Sequence, residues 1–171
     1  MKWLLLILGV LTALVALIAI AGALLPRDHT ATRAARFRQP PATLFALVRD
    51  FAALPSWRTG LKSVELLPAR DDAAAYREVS EHGPVTYAVR EERVGERLVI
   101  EIADAHLPYG GIWTFEFLAA PGGAELRITE QGFVKNVIFR FLARFVFGHT
   151  ATMEGYLRDL AKKFGEPPPS F

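Results

Sequence analysis

The sequence predicts an α+β domain carried on one membrane-length helix. Three observations point there. An uncharged apolar run opens the chain, several later segments alternate apolar and polar side chains with the period of a strand, and residues 135–164 hold no proline and show helical spacing.

Between Trp3 and Leu25 lie 23 residues without a charged side chain. At ~1.5 Å of rise per residue this run makes a helix of roughly 35 Å, enough to cross a hydrocarbon core of ~30 Å. Only Thr12 is polar, and a helix absorbs a threonine hydroxyl by bonding it to a carbonyl one turn earlier. Lys2 and Arg27 bracket the span, with Trp3 at the headgroup boundary. Small-x-small sites at Ala19-Ile20-Ala21 and Ala21-Gly22-Ala23 offer a cleavable signal peptide as the alternative. Yet the run exceeds an h-region of ~7–15 residues and its charged flank is a single lysine, so an uncleaved single-pass anchor over residues 1–26 is expected. Arg27, Arg33, Arg36 and Arg38 follow the span closely, and the positive-inside bias favours a cytoplasmic domain.

Beyond the anchor, about 145 residues remain, one domain's worth and enough to bury a core. The formal net charge of the whole chain is only +2 and no dense basic stripe occurs, so nucleic acid is not an expected partner. With no cysteine the chain has neither a disulfide framework nor thiol chemistry. The four histidines lack metal-ligand spacing, and no phosphate-binding or dinucleotide glycine motif occurs, so neither a metal nor a cofactor is expected.

Taken in order, residues 27–32 read as a polar linker and Arg33 to Gln39 as a strand ended by Pro40-Pro41. Pro41 suits the first turn of a helix through Leu44, Phe45, Leu47 and Val48, and Ala52 to Gly60 forms a second short helix or turn. Val85, Tyr87 and Val89 share one strand face, as do Leu98, Ile100 and Ile102, then Trp113, Phe115 and Phe117, then Leu126 and Ile128. Polar residues occupy the alternate positions, so the strands form an antiparallel sheet with one wet face and one face to be covered. Turn signals separate them at His82-Gly83-Pro84, Val94-Gly95, Tyr109-Gly110-Gly111 and Pro121-Gly122-Gly123. The cover is one long C-terminal helix, amphipathic in its second half through Met153, Tyr156, Leu157, Leu160 and Phe164. Its first half, Phe139 to Phe147, is apolar all round except for Arg140 and Arg144. That half is either enclosed by the sheet or set in the membrane interface, its arginines at lipid phosphates. Residues 166–171 form a proline-rich disordered tail.

This order of strand, two short helices, antiparallel sheet and long helix is the helix-grip layout. The chain resembles the START-like (SRPBCC) superfamily, in its polyketide cyclase/dehydrase-like branch. The resemblance rests on Asp50 to Trp57 (DFAALPSW), Val64-Glu65, Tyr76-Arg77-Glu78, Leu107 to Thr114 (LPYGGIWT), Ile128 to Gly132 (ITEQG) and Phe139 to Gly148 (FRFLARFVFG). It covers residues 33–165 as one helix-grip domain and carries no catalytic signature. The resemblance implies a sheet curled around the C-terminal helix, with a cavity between them for an apolar ligand.

The expected ligand-binding residues are Trp57, Arg58, Tyr87, Tyr109, Trp113, Phe115, Phe117, Glu130, Phe141 and Phe145. Small-molecule pockets are lined mainly by apolar and aromatic groups with a few polar ones, and these same rings serve equally as core filling. Glu78 and Glu130 fall in phase with apolar neighbours, so each needs a partner such as Arg58 or a raised pKa. The expected function is a membrane-anchored protein holding a hydrophobic small molecule or lipid. The alternatives are a cyclase or dehydratase using His106, Tyr109 or Glu130, and a tethered protein-interaction domain.

Overall fold

The computed structural model describes residues 2–70 and 73–171. Helix α1 (Lys2–Leu24) is the apolar run; among the described residues it alone is long and apolar enough to span a membrane. The Thr12 hydroxyl donates to the Leu8 carbonyl at 2.9 Å. Strand β1 (Asp28–Phe37) follows almost at once, so most of the expected linker is strand. Thr30 and Thr32 supply its β-branched residues, and the Thr32 hydroxyl meets that of Thr129 across the ladder at 3.1 Å.

Pro40 and Pro41 end β1 and start α2 (Pro41–Arg49). A 3-10 turn at Phe51–Ser56 is capped by Asp50, whose carboxylate accepts from the Ala53 N–H. This helical stretch carries the chain from one sheet edge to the other. Strands β2 (Leu61–Arg70), β3 (Ala73–Ser80), β4 (Gly83–Arg93), β5 (Arg97–Ile102), β6 (Tyr109–Ala120) and β7 (Gly123–Val134) then form an antiparallel meander. Strand β1 pairs with β7, giving the order β1-β7-β6-β5-β4-β3-β2. Alternation sets which face is buried: Ala124, Leu126 and Ile128 of β7 are fully covered, while Glu125 and Arg127 between them are not.

The expected single C-terminal helix is two helices. Asn136 caps α3 (Val137–Leu142), its side chain accepting from the N–H groups of Ile138 and Phe139. A π-helical turn at Ala143–Phe147 extends α3 to Gly148, whose φ of 74° ends it. The chain restarts as α4 (Ala151–Lys163). Only α4 lies on the sheet, burying Met153, Tyr156, Leu157 and Leu160. Helix α3 turns away and packs on the C-terminal part of α1, because a segment apolar all round has no polar face to show solvent. Glu166 of the tail accepts from the Arg38 N–H, so the tail begins docked against the end of β1.

Leu157 is fully buried at the centre of α4, whereas Leu66 on edge strand β2 is 61% exposed. Leu157→Ala should cost about 3 kcal/mol of unfolding free energy, and Leu66→Ala no more than about 0.5. Denaturant melts of the detergent-solubilised chain measure both.

Candidate functional site

Helix α4, the 3-10 turn and the concave sheet face enclose a cavity of about 500 Å³. Strands β3 to β7 supply its floor, and Phe51 and Leu54 of the 3-10 turn close one wall. A second cavity of about 180 Å³ lies beside it under the π turn, bordered by Ala143, Gly148 and His149. Ile102, Tyr109, Glu130 and Thr152 line both, so these four side chains form the partition between them.

Six of the ten expected residues line the larger cavity: Arg58, Tyr87, Tyr109, Trp113, Phe115 and Glu130. The other four do not. Trp57 lies in the core behind Tyr156, edge-on to that ring at 5.3 Å. Phe117 is two residues past Phe115, at the end of the sheet that α2 covers, and packs edge-on against Phe45. Phe141 and Phe145 belong to α3 and the π turn, which the break at Gly148 carries off the sheet. They pack on one another at 4.9 Å, and Phe145 is 63% exposed.

The apolar wall is built from rings at strand and helix spacing. Phe51 stacks on Tyr76 at 3.9 Å, Tyr76 on Tyr87 at 5.2 Å, and Tyr156 of α4 meets Phe115 and Trp113. Burial pushes the phenols of Tyr76, Tyr87 and Tyr156 well up, so all three stay protonated.

Two polar ends interrupt this wall. At the first, Arg58 Nη1 lies 3.6 Å from Glu78 Oε1, and the guanidinium sits over the Tyr156 ring at 4.5 Å. Arg58 Nε is buried with no hydrogen-bond partner among the described residues. Burial raises the Glu78 carboxyl above its ordinary range, with Arg58 opposing. An inward Glu78 is expected to have a partner such as Arg58 or a raised pKa, and it has both.

At the second end Glu130 faces Trp113 across the β6–β7 ladder. Burial raises its pKa, offset in part by the Trp113 indole N–H and then by His149. His29 Nε2 lies 3.6 Å from Glu130 Oε1, and the His29 and His149 rings stack at 4.0 Å. Burial lowers both imidazoles; Asp28 opposes this at His29, while at His149 the His29 ring and Arg144 add to it and Glu130 opposes it. Neutral imidazoles make this approach a polar contact and not an ion pair. Tyr109 completes the end, its phenol raised by burial and by Asp104. His106, by contrast, sits exposed in the β5–β6 turn and lines neither cavity.

The histidine pair escapes a sequence reading that starts β1 at Arg33. Extending the alternation of Ala31, Arg33, Ala35 and Phe37 back by one step places His29 on the inward face. His149 is brought to it by the helix break. No set of three or more His, Asp or Glu side chains that could hold a metal ion occurs among the described residues. The site can bury an apolar body while offering hydrogen bonds at both ends, and its raised carboxyls can exchange protons with a guest.

Burial makes the folded protein hold the Glu130 proton more tightly than the unfolded chain does. The carboxylate therefore opposes folding at neutral pH, and the penalty fades as pH falls through the raised pKa toward the ordinary 4.5. Glu130→Gln should accordingly raise the melting midpoint at pH 7.5, with the gain shrinking by pH 4.5. The lowered His29 and His149 act with the opposite sign, their stability present above pH 6.5 and lost as pH falls below it. His29→Gln should flatten that acid-side loss, read from melts between pH 7.5 and 5.5.

The fold agrees with solved structures. The di-domain ARO/CYC StfQ of the steffimycin biosynthetic pathway aligns at a TM-score of 0.62 and 11% identity, over 81% of this chain and 52% of that one. The present chain thus spans about half of that protein. A START superfamily protein from Mycobacterium smegmatis aligns at 0.63 and 18% identity, over 79% of this chain and 96% of that one. The Zhui aromatase/cyclase from a Streptomyces species aligns at 0.64 and 8% identity, covering 80% and 93% respectively. At such identities the likeness is one of fold. No curated protein matches the sequence. The family model "polyketide cyclase / dehydrase and lipid transport" matches residues 28–165, the whole of the domain from the start of β1 to just past α4, and the chain belongs to that family.

Proposed function

We propose that this protein is a membrane-anchored binding protein that holds one apolar or amphipathic molecule between its sheet and α4. The observation that carries the reading is the 500 Å³ cavity walled by stacked rings and polar at two separated ends. That volume lies in the ordinary range for small-molecule pockets. It suits a fused ring system or a single acyl chain, and is too small for both chains of a phospholipid. Trp113, Phe115 and Tyr87 would pack on the guest's body. Arg58, with its unpartnered Nε, would donate to a polar head, and Glu130 with Tyr109 would meet a group at the other end.

Helix α1 would hold the cavity close to the bilayer, where a poorly soluble guest is concentrated, with the domain on the cytoplasmic side by the arginines that follow the span. A cyclase or dehydratase reading draws on one specific observation, the raised carboxyl of Glu130 lining the same cavity as the Tyr109 phenol. His106 contributes nothing to it, being outside the cavity.

Displacement of an apolar fluorophore from the detergent-solubilised chain separates these readings. Val85→Trp and Ile100→Trp, both on the cavity floor, should weaken fluorophore binding at least tenfold, about 1.4 kcal/mol. Ala88→Phe, on the face of β4 opposite Tyr87, should leave it unchanged. Equal effects from all three would contradict an internal site. Turnover of a bound polyketide-like substrate that Glu130→Gln abolishes, with binding intact, would establish the enzyme instead.

A further inference from the structure

The segment that leaves the sheet has a partner of its own. Along α1 most residues are exposed, but Ile18, Ala19, Ala21 and Gly22 are partly or fully covered, and α3 is what covers them. Gly22 is fitted to this contact. A Cβ there would collide with the Val137 carbonyl and sit 3.5 Å from Phe141 Cβ. From Ile18 to the end of the helix at Leu24 is about 9 Å of rise, so α3 runs alongside the last turns of the apolar span.

What α3 and its π turn leave uncovered is apolar apart from Arg144, an exposed cation placed to meet lipid headgroups. Ile138, Phe139, Phe145 and Val146 are 38%, 54%, 63% and 61% exposed. Its one flanking cation within the helix is turned inward: Arg140 donates to the carbonyls of Val134, Leu25 and Lys135 at 2.9, 3.4 and 3.0 Å, capping the exit of α1. Just above, Arg27 and Lys135 each sit over the Phe133 ring, at 4.9 and 5.7 Å. A basic and aromatic layer with bare phenylalanines below it, beside the end of a spanning helix, matches the layering of a bilayer surface.

We infer that α3 and its π turn are a second membrane element, seated in the bilayer interface beside the end of α1 with Phe139 and Phe145 among the acyl chains. The inference rests on the proposed anchoring by α1. Its consequence for that function is direct. The smaller cavity lies under the π turn, bordered by Ala143 and Gly148, and shares Tyr109 and Glu130 with the larger one, so the π turn stands between lipid and the guest cavity. Interfacial helices of this kind sink their apolar face roughly 5–10 Å, which agrees with the stretch of α1 that α3 covers.

The chain has no cysteine, so single nitroxide labels can be placed without first removing a native thiol. Full-length Phe139→Cys, Phe145→Cys, Leu11→Cys in the span and Val94→Cys in the exposed β4–β5 turn would be labelled and reconstituted in phosphatidylcholine vesicles holding one-fifth phosphatidylglycerol. Collision with oxygen, which concentrates in lipid, would be compared with collision with an aqueous nickel chelate. The expected result is oxygen preference at positions 139, 145 and 11, with the preference reversed at 94. Chelate preference at 139 and 145 with oxygen preference at 11 would overturn the inference and leave the anchor standing. Chelate preference at position 11 as well would overturn the anchor, and the inference with it.

Discussion

A seven-stranded sheet with one apolar face needs more cover than this chain provides. Strands of 10–12 residues extend roughly 35 Å, whereas the 13-residue α4 is about 20 Å long. Helix α2 and the 3-10 turn take one end of the face, where Phe37, Leu44, Phe45 and Phe117 close a dry core. Over the rest of the concave face α4 is too short to fill the space between itself and the sheet, and that shortfall is the cavity. Packing to interior density would have required the helix to continue. It stops because the chain bends at Gly148 and sends α3 to α1.

The electrostatics follow from the same shortfall. Carboxylates at Glu78 and Glu130 are tolerated on an inward face only because the space in front of them is open enough to relieve part of the burial, and each still has its pKa raised. Arg58 serves Glu78 as a loose partner, while the two stacked imidazoles beside Glu130 stay neutral. The edge strand is tied independently: Arg33 donates to Glu154 at 2.9 Å and to the Thr150 hydroxyl, which fixes β1 to the first turn of α4 and lowers the Glu154 pKa. This clamp sets how closely α4 sits over the sheet beside the cavity.

Much of this was legible in the sequence because alternation is local. The inward rows of β4 to β7, the stripe on α4, the proline-started α2 and the membrane-length helix all follow from period and composition. The family resemblance then supplied the cavity. What escaped depends on choices between competing partners. Nothing in Val137 to Phe147 says whether an all-round apolar segment continues over the sheet or turns to α1; that depends on Gly148 and on the close approach at Gly22. Phe141 and Phe145 lie off the cavity for that reason. Trp57 and Phe117 face inward as expected but lie in the filled part of the core, a distinction of position along the strand that periodicity does not carry. His29 lies inside β1 because the strand begins at Asp28, five residues before the alternation of large side chains becomes visible.

Native mass spectrometry of the full detergent-solubilised chain reads whether the space between the sheet and α4 holds a guest. One defined apolar molecule per chain is expected, recovered by solvent extraction and absent from a Val85→Trp, Ile100→Trp variant. Wild-type protein that is empty on release from the detergent micelle, and that takes up no member of a panel of fatty acids, sterols and polyketide aromatics, would contradict it.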